Sequence, residues 1–313
     1  MKSSATLNPV LTGHAEKFMR QPGGFVGGAL FPAFSSGLQS ASYYVFDAEN
    51  YLGIPQNIRR APGTPFKRIM PKVSDDSFAC KGYGLEQPVP DEDRAKYASY
   101  LAADLAAARR LTDIIKINHE IRVHSLATDT TKVPNATIST KWDDSSSDPK
   151  ADVAAAKEAI RHAIGANPNT MIVSRPVMNV LDVHPKLVDL FKYTMPGVMN
   201  EDKLAQYFGI QNILVAEQVI ATNQEGQAVT AADIWGDDVV LAHVQPGQDL
   251  MLLNFGRTFY WDQFGSPEQD GVPIAIETYR DDTVKSDIHR ALHQTDEKLV
   301  GPQAGYLLHD ALS

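Results

Sequence analysis

The chain has 313 residues, enough for one large domain or two, and its 43% hydrophobic share can supply a buried core, which excludes a disordered chain. A formal charge of −9 and a pI near 5.5 argue against a dedicated nucleic-acid binder, because that role calls for a basic face. The single cysteine, Cys80, excludes an intrachain disulfide framework and a cysteine zinc cluster. No stretch approaches the ~20 apolar residues that span a bilayer, and the N-terminal MKSSATLNPVLTGHAEKF has no continuous apolar signal core, so no membrane partner is expected.

Residues 1–42 read as an arm without a core of its own. PGGFVGGALFPAFSSG, from Pro22 to Gly37, follows neither the 3.6 nor the 2 period, so Phe25, Leu30, Phe31 and Phe34 need another surface to cover them. Residues 43–88 carry prolines at 55, 62, 65 and 71 between short β-like runs, which suits an extended hairpin far better than a helix. Its basic residues are Arg59, Arg60, Lys67, Arg68 and Lys72, and a loop this long implies work outside its own domain. Asp91 is a good N-cap with Glu92 and Asp93 behind it. Tyr97, Leu101, Leu105, Ala108, Leu111, Ile115 and, loosely, Ile121 then form a helical stripe. A helix over 91–122 reaches about 48 Å at ~1.5 Å per residue.

A Thr/Ser-rich strand is expected over Ala136–Lys141, followed by the acidic turn WDDSSSDP. Asp148-Pro149 opens a second helix with Val153, Ala156, Ile160 and Ile164 on its apolar face. Thr170–Val173 is a short buried-type strand, and Val177–Leu181 and Lys186–Tyr193 are helical pieces parted by His184-Pro185. Asn200 caps Glu201–Phe208, with Gly209 as the stop. Strands are expected at Asn212–Ile220, Asp238–Val244, Met251–Phe255, Thr258–Trp261 and Ile274–Arg280.

Signals of chemistry are weak. Pro22–Gly28 lacks both the dinucleotide glycine spacing and a Walker lysine. His119-Glu120 is followed by His124 at a spacing of five, whereas two ligands on one helical face need four, so a zincin site fails. Trp142–Asp148 lacks the EF-hand glycine and closing glutamate, and Trp235-Gly236-Asp237-Asp238 suits a turn into a strand better than an acid/base pair. Cys80 reads as a buried thiol, and His162, His184, His289, His293 and His309 as structural or surface residues. No catalytic, cofactor or metal site is expected, and so no enzyme.

The stretch Thr170–Val244 reads TMIVSRPVMNVLDVHPKLVDLFKYT, then LAQYFGIQNILVAEQVIAT, then ADIWGDDVVLAHV. In this order it resembles the central domain of the major capsid proteins of tailed bacteriophages, the Hong Kong 97-type fold. The resemblance implies an α+β capsid fold with an N-terminal arm (1–42), an extended β-hairpin or E-loop (43–88), a long spine helix with the first part of a P-domain (89–149), an A-domain (150–250), and a return to the P-domain and C-terminus (251–313). It implies a shell subunit that assembles with copies of itself into hexamers and pentamers. Such a shell encloses DNA without sequence-specific binding, is built in the host cytoplasm, and becomes the capsid of the virion. It also implies a separate scaffolding protein, a portal and a cement protein as partners. Some members weld their shells through Lys–Asn bonds; residues 255–313 contain no asparagine, so a non-covalent shell is expected. Inter-subunit contacts are expected from Phe25, Phe31 and Phe34 of the arm, and from Arg59, Arg60, Lys67 and Arg68 meeting acidic groups such as Asp281 and Asp282 of a neighbour. An encapsulin-like nanocompartment shell protein is the near alternative, and a soluble α/β enzyme or ligand-binding protein the alternative from another class.

Overall fold

The structure of the protein, a computed structural model, describes residues 6–7, 24–45, 52–53, 58–66, 68, 74–92, 100–194, 201–223, 228, 230–264 and 272–313. In chain order the elements are β1 (Thr6–Leu7), α1 (Gly27–Leu30), β2 (Ala33–Ser36), β3 (Ser40–Val45), β4 (Ser74–Ala79), β5 (Lys81–Pro90), α2 (Tyr100–Ala127), β6 (Asn135–Thr137), α3 (Pro149–Ile164) and β7 (Thr170–Ser174). There follow α4 (Arg175–Val183), α5 (Pro185–Thr194), α6 (Glu201–Phe208), β8 (Asn212–Ala216), β9 (Val219–Ala221), β10 (Ala231–Asp233), β11 (Val239–Ala242), β12 (Gly256–Trp261), β13 (Ala275–Asp281), β14 (Ser286–Leu299) and β15 (Gly305–His309).

Two sheets carry the architecture. A five-stranded sheet in the order β6-β15-β11-β7-β8 has the fully buried β7 and β11 at its centre, paired antiparallel from Val239↔Val173 to Ala242↔Thr170. Strands buried on both faces read as continuous apolar runs, and Met171-Ile172-Val173 and Val239-Val240-Leu241 are such runs. α3 packs on this sheet because local chemistry holds it in place. The Asp148 side chain accepts from the Ala151 N–H at 3.2 Å, Gly165 ends the helix at φ 73°, and Val153, Ala156, Ile160 and Ile164 are all buried. Gly209 stops α6 in the same left-handed way, at φ 62°.

The six-stranded sheet runs β1-β13-β14-β12-β2, with β5 laid along β14 from Ser286↔Pro90 to Thr295↔Lys81. Against it lies α2, whose 28 described residues reach about 42 Å at ~1.5 Å each. β3 and β4 form a separate antiparallel pair, Ser40↔Ala79 to Val45↔Ser74, closed by the Cys80 N–H on the Gln39 carbonyl at 2.8 Å.

Several expectations are corrected. Residues 24–36, read as part of an arm whose apolar side chains need another surface, find that surface in their own chain: Val26, Leu30 and Phe31 join the main core beside Val123, Ala127 and Phe255, and β2 pairs in parallel with β12. The hairpin legs are 40–45 and 74–79; residues 81–90 instead extend the six-stranded sheet, since β14 offers ten residues of edge there. α2 continues to Ala127 because no breaker follows Ile121, which is itself exposed. Met251–Phe255 is not a strand. Asp249 accepts from the Met251 N–H at 2.9 Å and turns the chain, while the Asn254 amide bonds both the N–H and the carbonyl of Gln245, closing loop 245–254. The expected strand Asn212–Ile220 divides into β8 and β9, which belong to different sheets. Residues 305–309 return to the five-stranded sheet rather than to the one holding β12–β14. Asn200 and Tyr97 lie outside the described residues.

Candidate functional site

The residues that tie these parts together are polar and buried. Along β14 every second side chain faces α2: His289, Ala291, His293, Thr295 and Glu297, each with relative exposure under 8%. α2 answers with Asp104, 2.8 Å from His289, and Arg122, whose guanidinium clamps both oxygens of Glu297 at 2.9 Å. Fork-on-fork pairing of this kind satisfies a buried carboxylate with geometric specificity. Arg122 also lies over the Tyr83 ring at 3.9 Å, so one guanidinium joins β5, α2 and β14.

Two histidines of this seam, His119 and His293, are held neutral by their surroundings. Burial lowers His119 to about 4 and His293 to about 3. His293 Nδ1 donates to the Pro273 carbonyl at 2.7 Å, which leaves Nε2 as an acceptor 3.0 Å from the Thr295 hydroxyl. That hydroxyl is also 2.8 Å from Glu297, and its single proton serves one of them at a time. Burial on its own would raise the Glu297 carboxyl, yet the Arg122 bonds and nearby positive charge bring it down to about 2.

A second junction centres on Glu120 of α2. Its carboxylate accepts from the backbone N–H groups of Val26 (3.1 Å) and Gly27 (2.8 Å) and from the Trp235 indole (2.6 Å). A Cβ on Gly27 would stand 2.7 Å from that carboxylate, so this approach requires glycine. One side chain thus fixes the start of α1, α2 and the turn before β11, with His124 edge-on to Trp235 at 5.1 Å. The expectation that Trp235–Asp238 forms a turn into a strand holds, and the anchor under it is Glu120.

The β3–β4 hairpin grows from an aromatic cluster in which Phe78 stacks on Phe259 at 4.3 Å, with Tyr43 and Phe34 at 5.0 and 5.6 Å. Cys80 is buried beside it, and burial pushes its thiol up to about 11. Away from the stem, Ile58 and Phe66 are 76% and 75% exposed, yet the tip is ordered. Thr64 N–H bonds the Ala61 carbonyl, Gly63 turns at φ 82°, and Arg60 stacks over Phe66 at 4.3 Å.

Of the side chains expected to contact other subunits, Phe31 is buried within its own chain, edge-on to Phe255 at 5.8 Å. It is corrected to a core residue, because α1 brings it against Phe255 and Gly256 at the start of β12. Phe34 is half-buried against Phe259, and Phe25 is half-buried with Lys116 5.4 Å over its ring. Arg59, Arg60 and Arg68 are exposed, whereas Lys67 lies outside the described residues. Asp281 is engaged by Thr283 in the β13–β14 turn, while the neighbouring Asp282 is 93% exposed. Among the described residues no hairpin base is paired with these acids.

Among the described residues no cluster of His, Cys, Asp and Glu is arranged to hold a metal ion, and no helix is long and apolar enough to cross a membrane. Ser147 Oγ lies 3.0 Å from His184 Nε2, but both residues are buried, so no substrate reaches the pair.

Residues 127–255 match the family described as Phage major capsid protein E. The major capsid protein of Burkholderia phage BcepMu is 27% identical over 309 residues, covering 96% of this chain and 95% of that protein. A crystal structure of a phage-related protein from Bordetella bronchiseptica RB50 superposes with a TM-score of 0.76 at 28% identity, over 98% of both chains. The virus-like particle protein from Pyrococcus furiosus shares the fold at a TM-score of 0.58 and 12% identity, over 96% of this chain and 98% of that one.

Proposed function

We infer that this chain, a phage major capsid protein with the Hong Kong 97-type fold, tiles as hexamers and pentamers into the icosahedral shell that encloses the phage genome. It is a structural component of the virion and assembles with copies of itself. The observation that carries the tiling is the hairpin tip. Ile58 and Phe66 are 76% and 75% exposed beside a hydrogen-bonded turn, with Arg60 over the Phe66 ring, as suits a contact made by another copy. At −9 the subunit surrounds DNA without gripping its sequence.

The reading extends to several particulars. Assembly takes place in the host cytoplasm, with a scaffolding protein, a portal and a cement protein as partners. The shell is non-covalent, in keeping with the absence of asparagine from residues 255–313; denaturing gels should show monomers, and a ladder of multimers would refute it. Arg59, Arg60 and Arg68 of the hairpin face acidic groups of a neighbour such as Asp282, setting register and assembly rate more than affinity. Reversing Arg60 and Arg68 to Glu should impair assembly while leaving the fold intact; normal shells from that variant would sink this contact.

Electron microscopy of the purified chain, expressed with and without its neighbouring genes, tests the whole reading. Closed shells, tubes or lattices of hexameric units are the expected result, and stable monomers or dimers in both preparations would overturn it.

A further inference from the structure

Helix α3 carries basic residues along its outward side and an acidic loop at its N-terminal end. Its outward side places Lys150, Ala154, Lys157 and Arg161 at spacings of four, three and four, one stripe down the helix. With Tyr207 and Phe208 of α6 this stripe lines a cavity of about 290 Å³. Lys157 Nζ donates to the carbonyls of Phe208 (2.6 Å) and Gly209 (2.9 Å), which leaves the third donor of its ammonium. Lys150 lies 4.8 Å over the Tyr207 ring, and Arg161 is paired with Glu158, the one acid of the lining. The cavity is therefore cationic, with an aromatic wall.

At the N-terminal end of the same helix, loop 143–148 presents acids on a rigid mount. Trp142 is fully buried and its indole donates to Asp152 at 2.9 Å, and Ser147 is buried on His184. Asp143 and Asp144 between these anchors are exposed, with Asp144 accepting from the Ser146 N–H at 2.8 Å. Lys141 and Lys186 reach this region but donate to the carbonyls of Asp310 and Ser146, and the exposed Asp143 carboxylate accepts from the Ser313 hydroxyl.

We propose that the groove bounded by Lys150, Lys157 and Arg161 receives the acidic loop 143–148 of a second copy of this chain, so that these domains join head to tail. Charge complementarity selects the occupant: groove and loop are each present once per chain, and a contact between two different surfaces of one subunit builds rings wherever the rotation between neighbours closes. The proposal rests on the shell-forming reading and adds to it a contact outside the hairpin.

The test assembles four chains side by side: the parent, Lys150→Glu, Asp143→Lys with Asp144→Lys, and all three changes together. These side chains are exposed, and thermal melts of the unassembled subunits check that each variant folds. The expected result is a particle yield at least fivefold lower for either single-surface reversal, restored when both surfaces are reversed. If the reversed chains match the parent's yield, or the combined chain is as poor as the separate reversals, this contact is overturned while the shell reading stands. If the parent itself builds no shells, the shell reading fails and this contact falls with it.

Discussion

The two sheets hold themselves together by different physics. In the five-stranded sheet the central strands β7 and β11 bury Met171, Ile172, Val173, Val239, Val240 and Leu241 against α3, and area removed from water does the work. In the six-stranded sheet the face of β14 toward α2 is largely histidine, threonine and glutamate, matched by Asp104, His119 and Arg122. An apolar face tolerates small shifts in register, whereas a buried charge pair is satisfied in one alignment and costly in any other. Helix α2 is thus fixed on its sheet by pairing geometry as well as by the apolar patch around Leu111, Ile115 and Ile276.

The sharpest way to break the comparison is Glu297→Ala. Removing one partner of a buried pair leaves Arg122 uncompensated, and the expected cost is about 3–5 kcal/mol by denaturant unfolding. Replacing Arg122 and Glu297 together with methionine should recover most of that loss. A double variant as unstable as the single one would show that the pair is not the source. On the apolar side, Leu241→Ala should cost about 2–5 kcal/mol, with no gain from any second change across the seam.

Acid gives the most selective effect. His119 and His293 have their values lowered by burial from 6.5, so the stability they contribute is complete above about pH 6.5 and is lost as pH falls toward about 4 for His119 and about 3 for His293. Glu297, lowered from 4.5 to about 2, adds a further loss below 4.5, while Glu120, raised by burial, works in the opposite direction. The unfolding midpoint should therefore drop between pH 6.5 and 4, at about 2–4 °C per kcal/mol. His119→Asn combined with His293→Asn should flatten that limb; an unchanged slope would remove the histidines from the account.

How much could be read in advance follows the same division. α3, α4, α5 and α6 and the strands β7 and β11 announce themselves through an Asp-Pro cap, a glycine stop at Gly209, and unbroken apolar runs. From those residues the capsid resemblance was also recognisable. β14, the longest strand at 14 residues, was not: SDIHRALHQTDEKL has the period of a strand, but its inward positions are polar, and polar residues normally signal a solvent face. Only Asp104, Arg122 and their neighbours, brought in from residues far away in sequence, make those positions suitable for burial.

The sequence by itself determined the elements whose stability is local and the class of molecule they compose, because caps, stops and apolar periodicity act over a few residues. Tertiary structure alone decided that residues 24–36 fold back onto Glu120 and the core, that 81–90 leave the hairpin for β14, and that 305–309 rejoin the five-stranded sheet. Each depends on a partner surface that exists only once the rest of the chain is folded, and a strand edge or buried carboxylate accepts whichever distant segment brings the matching donors.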